Sequence, residues 1–203
     1  MDVRREKWDG RYATGDLPWD TGRFDANLAT VIAEWGIAPC PVLELGCGTG
    51  SNAIWLAAAG FDVTAVDISA LALAQATTRA AEAEVSVRFE EVDMHHGRLP
   101  KGPFGLVFDR GCFHSSDGPE EHALCVRNVH DSLGPQGLWL SLIGSTDSPP
   151  RDGGPPQLSA AQIVSYVEPL FEIRLLKATH FDSNQPEPPP AWACLMRKRE
   201  DTA

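Results

Sequence analysis

Val42-Leu43-Glu44-Leu45-Gly46-Cys47-Gly48-Thr49-Gly50 runs an apolar stretch straight into three glycines at alternate positions, and a helical pattern opens behind them at Ser51. Pro41–Leu45 therefore predicts a strand, and 51–59 a helix stopped by Gly60. Between them, glycines let the backbone turn tightly and come against a ligand with no Cβ in the way. The helix start adds unpaired N–H groups and a positive dipole end. Strand, loop and helix together describe a site for a small polar ligand, with Glu44 just ahead of the first glycine. The spacing GxGxG departs from the dinucleotide fingerprint GxGxxG.

Strands and helices alternate outward from this loop. Residues 61–66 predict a second strand, ending at Asp67-Ile68, and Ser69 is the expected N-cap of an alanine-rich helix to about residue 83. A third strand, 85–91, leads to Asp93-Met94, and a fourth, 104–108, to Asp109-Arg110-Gly111. Pro119 starts a helix running to Leu133, and 137–144 is a fifth strand. A helix (159–167) and two strands (171–178 and 191–197) complete the pattern. It predicts a doubly wound α/β sheet, seven-stranded and mainly parallel, in a single domain. Residues 1–36 are expected to form an N-terminal lid and 41–203 the sheet. The Pro/Gly-rich stretches 145–157 and 182–190 read as long loops, where a substrate pocket is usually found. Ligands collect at the carboxyl ends of strands in such sheets. There Asp67 can accept from both hydroxyls of a ribose, as an acidic residue also does in nicotinamide enzymes. Asp93 is a ligand or a turn-forming residue.

Composition excludes several classes. The 203 residues are 43% hydrophobic and 22% charged, an ordinary globular balance. A net charge of −11 argues against nucleic acid, which draws on clustered Lys and Arg. No apolar run is long enough to span a membrane, and the charged start MDVRREKWDG is unlike a signal peptide, so a cytoplasmic protein is expected. Five scattered cysteines without CxxC, and six histidines without HExxH, suggest reduced thiols and no metal centre.

The Gly46–Gly50 loop with Glu44 resembles motif I of class I methyltransferases, which bind S-adenosylmethionine and release S-adenosylhomocysteine. Trp8-Asp9, Tyr12, Leu17-Pro18-Trp19-Asp20-Thr21-Gly22, Asp109-Arg110-Gly111 and the Gly-Gly-Pro-Pro of 153–156 narrow the likeness. Together they resemble the thiopurine S-methyltransferase, tellurite-resistance and thiol/halide methyltransferase group. The resemblance implies that Glu44, Gly46, Gly48, Asp67 and Ile68 hold the methionyl and ribose parts of the cofactor. It implies that Asp93 accepts from the adenine amino group while Met94 packs on the ring, and that Asp109 is a cofactor-binding residue. Trp8, Tyr12 and Trp19 would line its lid, since aromatic faces attract a sulfonium and exclude water; packing of an N-terminal helix is the alternative.

Arg110 matches an arginine that points into the acceptor site, where it would orient the acceptor or favour a thiolate. A structural ion pair is its alternative. His114 is a candidate base or a satisfied structural histidine. The chain departs from the mammalian thiopurine enzyme near 182–190, where a Pro-rich loop replaces a charged one, which leaves the acceptor open. Expected is transfer of a methyl group to a small molecule, a thiol or other soft nucleophile, through alignment more than proton removal. Oxygen or nitrogen acceptors, and a noncatalytic binder of the cofactor, are the rival readings.

Overall fold

The apolar runs pair into one seven-stranded sheet in the computed structural model, which describes residues 3–147 and 156–200. In chain order the strands are β1 (Pro41–Leu45), β2 (Asp62–Asp67), β3 (Arg88–Glu91), β4 (Phe104–Arg110), β5 (Leu133–Gly144), β6 (Phe171–His180) and β7 (Pro190–Lys198). Their order across the sheet is β3-β2-β1-β4-β5-β7-β6. The first five run parallel, and β7 lies antiparallel to both β5 and β6. The order reverses between β1 and β4, so the loop after β1 opens into the crevice where such sheets bind ligands.

Side-chain alternation explains why β1 and β4 lie at the centre. Val42 packs on one face with Leu106, Phe108, Leu140 and Leu142, while Leu43 and Leu45 pack on the other with Val107, Trp139 and Ile143. A strand covered on both faces must be apolar almost throughout. The first face is covered by α2 (Ala26–Trp35) and α3 (Ser51–Ala58) through Leu28, Val31, Ala53 and Leu56. The second is covered by α5 (Gly118–Ser132) and α6 (Ala160–Val167) through Val126, Val129, Ile163 and Val167. Ser69 caps α4 (Ala70–Glu82) by accepting from the Ala72 amide, and Ser159 with Gln162 forms a capping box on α6.

Three differences from the expected boundaries have local causes. β3 starts at Arg88 rather than Val85, because the chain leaves α4 through a left-handed Glu84 (φ 55) and the Val85 amide still bonds back to Ala80. β5 begins already at Leu133, opposite Phe104, and its register slips before Leu138 pairs with Leu106. The N-terminal segment divides: α1 (Val3–Thr14) lies across the carboxyl ends of the strands, whereas α2 is a core helix. Most of the expected Pro/Gly-rich loop 145–157, including nearly all of its Gly-Gly-Pro-Pro, falls outside the described residues. Among those described, no helix is long and apolar enough to cross a membrane.

Candidate active site

The glycine loop is held from below by Asp67. Its Oδ2 accepts from the Gly48 amide at 2.8 Å and its Oδ1 from the Ser69 amide at 2.9 Å, tying the ends of β1 and β2 together. Burial raises its pKa against the pull of these donors. Gly46 and Gly48 take left-handed φ values of 61° and 54°. A Cβ on Gly46 would collide with Cys112 Sγ, and one on Gly48 would stand 2.8 Å from the Tyr12 hydroxyl.

Glu44 is 1% exposed, and burial pushes its carboxyl up to about 8, so it holds its proton at neutral pH. Its Oε1 accepts from Asn52 Nδ2 at 3.2 Å, while its Oε2 is buried without a partner. A buried polar atom left unmatched is uncommon and calls for an explanation. A ligand on the glycine cradle would supply one, so the donor set fits a small polar cofactor.

A lid closes over this cradle. The Trp8 and Trp19 rings meet edge to face with centroids 5.6 Å apart, and Tyr12 meets Trp19 at 6.4 Å. Tyr12 is buried against Gly48, and burial together with Asp67 raises its phenol pKa. Polar contacts fasten the lid. Ser69 Oγ donates to Asp9 at 2.5 Å, Thr49 Oγ1 donates to Asp20 at 2.7 Å, and Arg79 donates to the Gly22 carbonyl at 3.2 Å. Arg4 binds Glu121 at 2.9 Å and Asp117 at 3.2 Å at the start of α5. The loop after β6 joins in, since Asn184 Nδ2 donates to the Asp20 carbonyl at 2.7 Å.

Across the crevice stands Asp109-Arg110-Gly111. Arg110 Nε donates to Asp25 Oδ2 at 2.6 Å, and its other nitrogens bond the carbonyls of Trp19 and Asp182. Its guanidinium lies 5.2 Å from the Phe181 ring centre. Asp25 is 2% exposed, caps α2 through the Asn27 amide, and donates its own amide to Asn52 Oδ1 at 2.8 Å. A continuous buried chain therefore runs from Glu44 through Asn52 and Asp25 to Arg110 and the lid.

The family described as "Methyltransferase domain" matches residues 42–137. The relative "Uncharacterized methyltransferase C750.03c" of Schizosaccharomyces pombe is 38% identical over 106 residues, 52% of this chain and 73% of that one. The chain belongs to the methyltransferases. The family takes its methyl group from S-adenosylmethionine. "Hemagglutinin 1" of Eikenella corrodens is 43% identical over 114 residues, and the match spans only 38% of that relative's length. "Thiocyanate methyltransferase 1" of Brassica oleracea is 27% identical over 184 residues, 90% of this chain and 78% of that one. The structure of Burkholderia thailandensis 1,6-didemethyltoxoflavin-N1-methyltransferase, solved with S-adenosylhomocysteine bound, has the same fold. Its TM-score is 0.77 at 19% identity, covering 98% of this chain and 88% of that one.

In this methyltransferase the expected site residues separate into two groups. Trp8, Tyr12, Trp19, Glu44, Gly46, Gly48 and Asp67 gather at the cradle, with Ile68 half-buried at the end of β2. Asp93 is half-buried; its Oδ1 accepts from the His95 amide at 2.8 Å, and its Oδ2 lies 3.0 Å from His96 Nδ1. Burial raises its carboxyl pKa, but these two partners outweigh that and lower it. Asp93 is thus a turn residue in this structure, with an edge still open to solvent.

Met94 is 7% exposed and packs in the core cluster with Val66, Leu99 and Phe104. Asp109 is a correction. Asp109 is fully buried. Its Oδ1 accepts from the Cys112 and Phe113 amides and its Oδ2 from Trp139 Nε1 at 2.9 Å, so it staples the turn after β4 instead of holding cofactor. His114 is corrected too, because its Nδ1 already accepts from the Gly144 amide at 2.6 Å, which removes the lone pair that a base would use.

Asp25, Asn52 and Asp182 were not singled out in the sequence, and Asp20 only as part of the stretch 17–22. Asp25 carried one readable signal, an N-capping side chain ahead of the apolar run of α2.

Proposed function

We propose that this methyltransferase transfers the methyl group of S-adenosylmethionine to a small-molecule thiol or other soft nucleophile, with S-adenosylhomocysteine as product. The observation that carries the reading is the Trp8–Trp19–Tyr12 cluster, whose Tyr12 stands against Gly48 beside the buried carboxyls of Asp67 and Glu44. Aromatic faces, water exclusion and nearby carboxyls suit a sulfonium. Asp67 would receive the ribose and the Gly46–Gly50 loop the methionyl part. Asp93, through its open edge, would take the adenine amino group. When bound, the cofactor supplies an already activated methyl group.

The remaining work of the protein is alignment and drying of the cleft, which the lid would supply. Proton removal asks little of the chain. An ordinary thiol has a pKa near ~8.5, so a few per cent is thiolate at neutral pH without help. Arg110 and His114 cannot take that proton: one is a permanently charged guanidinium, the other has its Nδ1 engaged. Likeness to a thiocyanate methyltransferase over 90% of the chain supports the same acceptor class.

A panel of thiols, phenols, amines and halides, assayed for S-adenosylhomocysteine release, tests this. Thiols should turn over fastest. A phenol or amine that outpaces every thiol would overturn the choice of acceptor.

A further inference from the structure

β4 ends at Arg110, and the chain turns at Gly111 with φ +88°. Among the described residues a Cβ built there would meet the His114 ring alone within 4 Å, with Cε1 and Nε2 each 3.5 Å away. Gly111 is half-buried, so the Nε2 edge of His114 borders the space above it. Gly144 holds the opposite side of that ring, donating its amide to Nδ1 at 2.6 Å. Glycine eases this approach, because a Cβ on Gly144 would crowd Nδ1 at 3.2 Å and the Pro156 carbonyl at 3.1 Å. A neutral imidazole whose Nδ1 accepts carries its proton on Nε2. Among the described residues nothing accepts from that N–H.

The ring stays neutral. Burial, then the facing charges of His122 and Arg110, push its pKa down to about 4. The Phe181 ring stands edge-on at 5.9 Å and closes the apolar side.

We propose that the space above Gly111 is an acceptor subsite, and that His114 Nε2–H donates there to an uncharged carbonyl carried next to the nucleophilic atom. This rests on the methyl-transfer reading above and narrows it to α-mercapto esters, amides or ketones. A free carboxylate is disfavoured, because Arg110, whose charge acts on His114, is already paired with Asp25. His114 thus sets specificity and holds its proton throughout.

The test compares methyl thioglycolate with 1-butanethiol, a chain of similar length without the carbonyl. In the wild-type enzyme kcat/KM should favour the ester. His114→Phe keeps a ring but loses the donor, and should cut the ester-to-alkanethiol ratio roughly three- to tenfold while cofactor affinity by calorimetry holds. His114→Gln, which restores an N–H near the Nε2 position, should recover part of the ratio. An unchanged ratio in His114→Phe overturns the proposal. The wild-type protein gives an independent reading by 15N NMR of the histidine rings. His114 should be the neutral Nε2–H tautomer from pH 5 to 8; an Nδ1–H tautomer, or a charged ring in that range, overturns the proposal as well. If no thiol at all yields S-adenosylhomocysteine, the acceptor reading fails instead, and the NMR result still judges the hydrogen-bonding state of His114.

Discussion

Arg110 and Asp25 form a buried pair that joins the end of β4 to the cap of α2, with Asp25 2% exposed. Removing the guanidinium leaves a carboxylate buried without its partner, which typically costs about 3 to 5 kcal/mol. Arg110→Ala should therefore lower the melting temperature by roughly 10 °C for a domain of this size. Arg110→Lys should restore part of the loss, since an ammonium keeps the charge but cannot span three acceptors. Melts of Arg110→Ala, Asp25→Asn and the double variant check the pairing: a double variant as unstable as the two losses added would mean the two residues act separately.

Glu44 makes a prediction in pH. Its folded pKa of about 8 lies above the ordinary carboxylate value, so the folded state keeps a proton that the unfolded chain releases. The stability that this proton confers is fully present below about pH 4.5 and is lost as pH rises to about 8. Glu44→Gln cannot ionise, so cofactor-free protein carrying it should gain on wild type between pH 5 and 8. Urea melts at the two ends of that window measure the difference, and parallel curves would place the ionised form in the fold.

Among elements, α1 depends least on the core. Its one fully covered side chain, Tyr12, belongs to neither core cluster, and polar contacts from Arg4, Arg5 and Asp9 fasten the helix. Contacts of this kind are individually weak and are screened by salt. Removing residues 1–14 should therefore leave the sheet's melting temperature within a few degrees of wild type while weakening cofactor binding at least tenfold. Calorimetry and melts on the same shortened protein separate the two effects, and intact affinity would dismiss Tyr12 and Trp8 from the site.

The loop strand by strand tells a related story about Asp67. Because it holds the Gly48 and Ser69 amides, Asp67→Ala should reduce cofactor affinity by one to two orders of magnitude, about 1.5 to 3 kcal/mol, and also lower stability. Asp67→Asn keeps the shape but turns an NH2 donor toward the Gly48 or the Ser69 amide, so it too should lose both affinity and stability, the latter by less than Asp67→Ala if the remaining oxygen keeps one of the two amides.

At the scale of the whole molecule, the sequence by itself determined the elements and the glycine cradle. Short, nearly continuous apolar runs bounded by turn residues must be strands in a sheet covered on both faces; Ser69 and Ser159 announce helix starts through amides they can cap, and Pro119 through the donor it lacks in the first turn. The glycines of the β1 loop declare themselves because only glycine readily takes a left-handed φ at 46 and 48. The partners were decided by tertiary structure. Asp109 meets Trp139 because β4 pairs with β5; Arg110 meets Asp25 because α2 packs beside β1 and β4; and the proton of His114 is assigned by a backbone amide at the end of β5. Periodicity tells each side chain which way to face. It carries no information about which distant group will face it, because that follows from the order of strands across the sheet, and here β7 enters antiparallel between β5 and β6. Charge and hydrogen-bond roles depend on those neighbours, so a buried Asp reads as a ligand until its donors are seen.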